Sequence, residues 1–509
     1  MCKAARNASR RPLRKGFFAI NTVLIQADQL AAKWLECGAA DTPNLHRLAR
    51  EGMRFTRCIA HNPVCMPSRA SMLTGRSSRH HGVLLNGYEL GHDLPTFAQV
   101  LQRNGVRTVG FGKFHLQCHL RSAHNDVRPY GFDEARVTED IRAGDWLDWV
   151  RAERPEAYER ALATVWPTPH LREYGPEREN LLPKVLDAAR RHPPRRAAKL
   201  AWPCIVPEEA TQTRWIGDLA CQEIGKAHAP FFLYVSFVAP HDPYDPPSRF
   251  LDRVDGSRIP EPVPAAWQND PLAPALFRNS AGLEPLVGLC ADEWRTMRHY
   301  YLASLAFIDD QVGRIVQAIE ERGLRDTTRV LFTSDHGDLL GDHGLPYKGA
   351  WHYDACVRVP LIAWGPGIRS GVCDAPVETM DLYPTVLDLA GAKDSPATEG
   401  RSLMPWMRGE RPARWRSEAY SESYATYDNV EQRNWARTVR TSDYRYTLYA
   451  AGGGEMLFDL HADPDEQRNL AGDPAYASVR HELRGRLLER IIGQDEPLPT
   501  RNLFQMAGH

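Results

Sequence analysis

Residues 305–337 read LAFIDDQVGRIVQAIEERGLRDTTRVLFTSDHG. Leu305, Ile308, Val312, Ile315 and Ile319 recur at three- and four-residue spacing, which predicts a helix with one apolar face, and Gly323 is placed to end it. Residues 329–333 follow as a short apolar, β-rich run that breaks off into Ser334-Asp335-His336-Gly337. A buried strand ending in polar residues is what an open α/β sheet presents at the C-terminal ends of its parallel strands, where ligands bind. The helix therefore reads as a βαβ crossover, and Asp335 and His336 as site candidates.

The same form recurs outward from this stretch. Residues 22–25, 106–111, 231–237 and 359–364 have strand length and are followed closely by Gly, Pro, His or Asp. A further helical set, Leu382, Val386 and Leu389, follows Asp381 as a cap and stops at Gly391. Layered α/β architecture follows. From about 395 to 415 the chain is rich in Pro, Gly, Arg and Ser, and beyond it 436–440, 444–449 and 456–460 predict short antiparallel strands before a helix at about 475–492. The expected organisation is a basic flexible tail (1–15), a catalytic α/β domain (16–410) with loop insertions at 119–227, and a small α+β domain (411–509).

Composition narrows the function. Among 509 residues, 63 Lys and Arg face 64 Asp and Glu, a formal charge of −1 that creates no long-range field and disfavours a nucleic-acid binder. With 43% hydrophobic and 25% charged residues and no bilayer-length apolar run, a soluble protein without membrane partners is expected. The ten cysteines are scattered with no CxxC pair, which predicts reduced thiols and a cytoplasmic location.

Residues 61–76 carry the chemistry: His-Asn-Pro-Val-Cys-Met-Pro-Ser-Arg-Ala-Ser-Met-Leu-Thr-Gly-Arg. Within them Cys65-x-Pro67-Ser68-Arg69-x3-Leu73-Thr74-Gly75-Arg76 resembles the signature of the sulfatase family. The resemblance implies that Cys65 is oxidised to formylglycine, whose hydrate offers two geminal hydroxyls. A serine would leave a stable alkyl sulfate, whereas the second hydroxyl of the hydrate can collapse to the aldehyde and expel sulfate. A separate maturation enzyme is implied as partner.

The other candidate positions follow strand ends. Asp28-Gln29 ends the first strand and Asp335-His336 the strand at 329–333. By resemblance Asp28, Gln29, Asp335, His336 and the modified Cys65 hold one divalent metal. Ca²⁺ is expected, with Mn²⁺ or Mg²⁺ left open because Gln29 replaces a carboxylate and His336 adds nitrogen. Arg69 sits one helical turn from Cys65 and would hold the hydrate oxyanion. Gly112-Lys113-Phe114-His115 is similar to the family's Gly-Lys-x-His, so Lys113 would grip a sulfate oxygen and His115 would take the proton on sulfate expulsion. In Ala239-Pro240-His241-Asp242-Pro243, His241 matches the acid that protonates the leaving group, and Lys348 the second sulfate-binding cation.

Family landmarks extend over about residues 20–472, among them Thr42-Pro43-Asn44-Leu45, Met380-Asp381-Leu382-Tyr383-Pro384-Thr385 and Leu457-Phe458-Asp459-Leu460. They imply an alkaline-phosphatase-like fold, a large mixed sheet between helices with a smaller C-terminal sheet domain.

The first reading is thus a sulfatase hydrolysing a small-molecule sulfate ester. The alternative is a phosphonate monoester or phosphodiester hydrolase of the same superfamily, whose members carry neutral hydroxyl side chains where this chain has Lys113 and His115. A third reading is an unmatured anion-binding protein. The alcohol is not legible: Trp146, Trp149, Trp166 and Trp202 serve either as stacking platforms for a sugar or as core and loop anchors. Homo-oligomerisation is left open. The apolar run from Phe17 follows basic residues as in an export signal, but no small-residue cleavage site follows and the run leads directly into Asp28, so 1–15 are read as a frayed tail.

Overall fold

The computed structural model describes residues 20–119, 121–165, 200–226, 230–277, 289–393, 396–424 and 431–494. The expected tail at 1–15 and Trp166 lie outside these residues. Nine strands form one sheet in the order β4-β3-β5-β1-β6-β7-β2-β8, with β9 also on β2. Their ranges are β1 Asn21–Ala27, β2 Met53–Ile59, β3 Arg107–Gly112, β4 Glu134–Val137, β5 Phe231–Ser236, β6 Thr328–Ser334, β7 Arg358–Trp364, β8 Gly371–Cys373 and β9 Val377–Glu378.

The block from β4 to β6 is parallel throughout, with Gln26 opposite Ser236, Ala27 opposite Ser334 and Gly112 opposite Ser236. The ends of β1, β3, β5 and β6 therefore open at one edge of the sheet. Residues alternate between faces, as the pleat requires. Val23, Ile25, Leu233, Val235, Val330 and Phe332 join the core beneath the long helix Ala291–Glu321, while Leu24, Phe232, Tyr234 and Leu331 join the core shared with helices Phe97–Arg103 and Leu382–Leu389. Strands buried on both faces explain the unbroken apolar runs in the sequence.

Three expectations need correction. The strand read at 359–364 exists, but β7 runs antiparallel to β6 and its C-terminal end faces away from the site. The 23 residues between β6 and β7 hold no crossover helix, only loops, a 3-10 turn at Asp342–Gly344 and the four-residue helix Asp354–Val357, so the chain doubles back. Residues 119–227 are not only insertions: β4 is the edge strand of the sheet, and helix Gln212–Lys226 buries Trp215, Ile216, Ala220 and Ile224 in the main core. Asp381 offers no side-chain cap; its carboxylate instead accepts from Arg416 Nη2 at 2.6 Å and from the Arg401 N–H at 2.7 Å.

A second, antiparallel sheet comprises β10 Ala419–Ser423, β11 Ala436–Arg440, β12 Tyr444–Tyr449 and β13 Gly454–Asp459. One face packs Tyr420, Val439, Tyr446 and Leu457 on Leu483 and Leu487 of helix Ala477–Gly493. The other packs Ala419, Tyr449, Met456 and Phe458 against Trp351 and Tyr353 of the larger body.

Candidate active site

Cys65 occupies the first turn of helix Cys65–Thr74, after Val64 in extended conformation, and Gly75 ends the helix with φ 65°. A side chain on Gly75 would meet Thr398 Oγ1 and the Tyr383 ring, so the glycine of the motif also lets this helix dock. Helical spacing puts Cys65, Ser68 and Arg69 on one face. Ser68 Oγ donates to the Asp335 carbonyl at 2.6 Å and Arg69 Nε to Asp335 Oδ2 at 2.8 Å, which orients that face onto the end of β6. The helix begins at Cys65 itself, so Arg69 lies one turn on, as the spacing predicts.

The parallel strand ends supply the remaining groups. β1 leads into Asp28 and then Gln29, whose φ of 67° turns the chain sharply within the site. β3 ends at Gly112, φ 103°, where a Cβ would stand 1.8 Å from the Ser236 carbonyl oxygen; only glycine lets β3 lie this close to β5 and swing Lys113 inward. Lys113 Nζ reaches Asp28 Oδ2 at 2.5 Å and Asp140 Oδ2 at 3.0 Å. His241 follows β5, and Lys348 Nζ lies 2.8 Å from its Nε2 and 2.5 Å from Gln29 Oε1.

Asp28, Cys65, Asp335 and His336 each present a ligand atom, all within 4.8 Å of one another and buried. Asp28 Oδ1 has no hydrogen-bond partner, a costly state for a buried carboxylate oxygen that a cation would relieve. His336 Nδ1 donates to the Gly337 carbonyl at 3.0 Å, which turns its Nε2 inward, 3.1 Å from Cys65 Sγ. Two carboxylates, one imidazole and the Cys65 position fit a divalent ion. Gln29 donates its Nε2 to Asp338 Oδ2 at 2.5 Å, leaving Oε1 on the inner side with Lys348.

The field is strongly cationic at Cys65. Burial alone would push the thiol up, but Lys113, Lys348 and His336 drive it well below its ordinary range. Burial likewise works against ionisation of Asp28, yet Lys113 holds it down at about 2. Burial, with Lys113 and His119 beside it, lowers His115 to about 3, so its imidazole is neutral. An anion set against Cys65 would meet Arg69, Lys113 and Lys348, with a neutral His115 and His241 at hand.

All the sequence-predicted site residues converge here. The sequence did not single out Asp140, His119, Glu139 or Asp338. Asp140 binds Lys113 and lies 3.7 Å from His241 Nε2; the Glu139 carboxylate accepts the His115 backbone N–H at 2.9 Å. Glu139 and Asp140 lie in a stretch without periodicity, and the pairing of β3 with β4 brings them across. Asp338, three residues past Asp335, could have been found as a further carboxylate at that strand end. A cavity of about 440 Å³ opens over the site, lined among others by Val64, Met66, His119, Asp140, Asp242 and Tyr347. Trp146 is buried and donates its indole N–H to the Ala210 carbonyl at 2.9 Å, an anchor rather than a platform.

Comparison with known proteins agrees with this geometry. The family model described as Sulfatase matches residues 20–392, and that described as N-sulphoglucosamine sulphohydrolase, C-terminal, matches 341–492. An arylsulfatase of Clostridium perfringens is 29% identical, covering 94% of this chain and 95% of its own. A choline-sulfatase of Rhizobium meliloti is 30% identical over 89% of this chain and 83% of its own. Among solved structures, a phosphonate monoester hydrolase from Silicibacter pomeroyi superposes with a TM-score of 0.77 at 26% identity, covering 94% of this chain and 96% of that one.

Proposed function

The chain belongs to the sulfatase family, and from that premise we propose that it hydrolyses a sulfate ester to an alcohol and inorganic sulfate through a formylglycine made from Cys65. The observation that carries this reading is the convergence of three buried cations, Arg69, Lys113 and Lys348, on the helix-borne Cys65 at the parallel strand ends.

Asp28, Gln29 Oε1, Asp335, His336 and the modified residue 65 would hold one divalent metal. Ca²⁺ suits the carboxylates, and Mn²⁺ suits the added imidazole. That ion would acidify the attacking hydroxyl and balance charge on the ester oxygens. The hydrate of formylglycine would supply the nucleophile and, through its second hydroxyl, the route by which sulfate leaves.

The chain's own residues do the rest. Lys113 and Lys348 bind the non-bridging sulfate oxygens and keep their charge despite burial, because Asp140 and Asp28 face Lys113, and Cys65 and Asp28 face Lys348. Arg69 is held by Asp335, by the Lys113 carbonyl at 2.7 Å and by Ser236 Oγ at 2.9 Å, so it offers charge without reorganising. His241 protonates the departing oxygen. His115 accepts the proton that sulfate expulsion releases.

The likeness to a phosphonate monoester hydrolase favours one second reading, a phosphonate or phosphodiester substrate. The buried Lys113 and neutral His115 argue for sulfate as the main substrate, with phosphoester turnover as a side activity. The scattered cysteines, with no CxxC pair, are the ground for proposing a reducing, cytoplasmic compartment and a small imported substrate.

The deciding experiment is the mass of the Cys65 peptide from protein made in its native host, with sulfate release measured on the same sample. A loss of about 18 Da, reversed by hydration, together with sulfate release supports the proposal. An unmodified thiol in active protein overturns the formylglycine route. Faster turnover of a phosphonate monoester than of any sulfate ester favours the second reading.

A further inference from the structure

We propose that His115, His119 and Asp140 form a second metal site, which takes Zn²⁺ or a similar borderline transition ion, and that its occupation arrests turnover. The three residues are buried, and their ligand atoms all lie within 4.8 Å of one another. The two imidazole centroids are 4.5 Å apart, and His119 Nε2 lies 3.4 Å from Asp140 Oδ1. None of this set belongs to the Asp28, Asp335 and His336 group.

Four polar atoms of the set make no hydrogen bond to the protein. Both ring nitrogens of His115, Nδ1 of His119 and Oδ1 of Asp140 are buried without a hydrogen bond. Unpaired buried polar atoms are costly and few in folded proteins, so several facing one another mark a place completed by something else. Asp140 is not consumed by Lys113: Oδ2 takes the ammonium at 3.0 Å and Oδ1 is left over.

The donor set selects the ion. Two imidazole nitrogens and one carboxylate oxygen are a three-ligand zinc set with its fourth position open, whereas Ca²⁺ and Mg²⁺ prefer oxygen. His115, His119 and Asp140 all line the 440 Å³ cavity, so an ion reaches them from the substrate side and the open position faces that space. The backbone beneath is tied down: the Glu139 carboxylate accepts the His115 backbone N–H, and Gln212 Nε2 donates to the Glu139 carbonyl at 3.0 Å and to Thr138 Oγ1 at 2.6 Å.

The arrest follows from His115, and this part rests on the sulfatase reading. A ring nitrogen bound to zinc cannot accept the proton of sulfate expulsion. The site itself stands without that reading.

The test titrates Zn²⁺ into Ca²⁺-loaded full-length enzyme while calorimetry and elemental analysis count both ions, with Co²⁺ as a spectroscopic probe. The expected result is one zinc per chain with calcium retained, a visible Co²⁺ band of tetrahedral character, and loss of both in His119→Gln. Asp140→Asn is the second variant should His119→Gln not fold. In the wild type, sulfate release should fall in step with zinc occupancy and return on chelation. Equal zinc uptake in wild type and variants, or zinc entering only as calcium leaves, overturns the site. Zinc binding at the site with undiminished sulfate release overturns the arrest, and a protein without sulfate release still decides the site by its binding readout.

Discussion

Lys348 Nζ lies 2.8 Å from His241 Nε2, while His241 Nδ1 donates to the Asp242 carbonyl at 2.8 Å. With Nδ1 carrying a proton, Nε2 is left facing the lysine, and only one of the two groups can hold the proton on the line between them. Burial and Lys348 both oppose a charged ring, yet Asp242 and Asp28 outweigh them and raise its pKa to about 9. A sulfate oxygen that draws Lys348 away frees Nε2 to take a proton and give it to the leaving group.

His241→Gln should therefore lose activity according to the leaving group. For an alkyl sulfate the loss is about 10²–10⁴-fold, the usual worth of a positioned acid. For an activated aryl sulfate, whose oxygen departs without a proton, it is far smaller. Rates across a series of aryl sulfates check this: a steeper dependence on leaving-group pKa is expected, and an equal loss for every ester contradicts the acid role.

Arg69 compensates two buried carboxylates, with Nε 2.8 Å from Asp335 and Nη2 3.5 Å from Asp28. Removing one partner of a buried ion pair costs about 3–5 kcal/mol, because the other charge is left uncompensated. Arg69→Met should melt lower in metal-free buffer, and Ca²⁺ should stabilise it more than it stabilises the wild type, since the ion neutralises the same carboxylates. Melting curves with and without Ca²⁺ decide this. A gap between the proteins that Ca²⁺ leaves unchanged would place the role of Arg69 elsewhere.

Asp140 sets a negative charge beside the anion-binding lysine. Lys113 holds it 3.0 Å away, and with His119 and His115 nearby its carboxyl stays well below the usual carboxylate range despite burial. A sulfate ester brings one negative charge and a phosphate monoester close to two at neutral pH, so the repulsion falls harder on phosphate. Asp140→Asn keeps the shape and removes the charge. The ratio of phosphate monoester to sulfate ester kcat/KM should rise about tenfold, which corresponds to about 1.4 kcal/mol and is modest for charges at this range. An unchanged ratio excludes Asp140 as the discriminator.

Legibility in the sequence tracked how locally each feature is encoded. Phe231–Ser236 is buried along its whole length, so its strand shows as an unbroken apolar run. The Cys65 helix announces itself by motif because its nucleophile, its cation and its terminal glycine lie within eleven residues. β2 is half exposed and charged at Arg54 and Arg57, and gave no clear strand signal. Asp140 and His119 acquire meaning only through tertiary pairing. Gln29 could be assigned to the metal group by resemblance, but its amide's hold on Asp338 and Lys348 needed coordinates.

His61 ties the nucleophile helix to the C-terminal sheet and makes stability pH-dependent. Fully buried, its ring nitrogens lie 3.6 Å from Glu378 and 3.5 Å from Glu422, with the Tyr420 ring at 5.4 Å. Arg416 and Arg490 also pair with Glu378, Arg437 faces Glu422, and Glu422 accepts the Ser78 N–H at 2.7 Å beside His81, which bonds Ser71 of the Cys65 helix. Burial opposes the imidazolium, but Glu378 and Glu422 prevail and raise His61 from 6.5 to about 9. A folded-state pKa above the unfolded value gives stability that is fully present below pH 6.5 and is lost as pH rises through 9. At about 1.4 kcal/mol per pK unit, the contribution is no more than about 3–4 kcal/mol. Glu378 and Glu422 are held below the usual carboxylate range, so their share is present above that range and lost on acidification. In urea unfolding, the wild type should exceed His61→Gln most in mildly acidic buffer, and the difference should shrink across the alkaline limb. A difference that stays level or grows there would mean that His61 is neutral in the folded protein and that the two glutamates rely on Arg416, Arg437 and Arg490 alone.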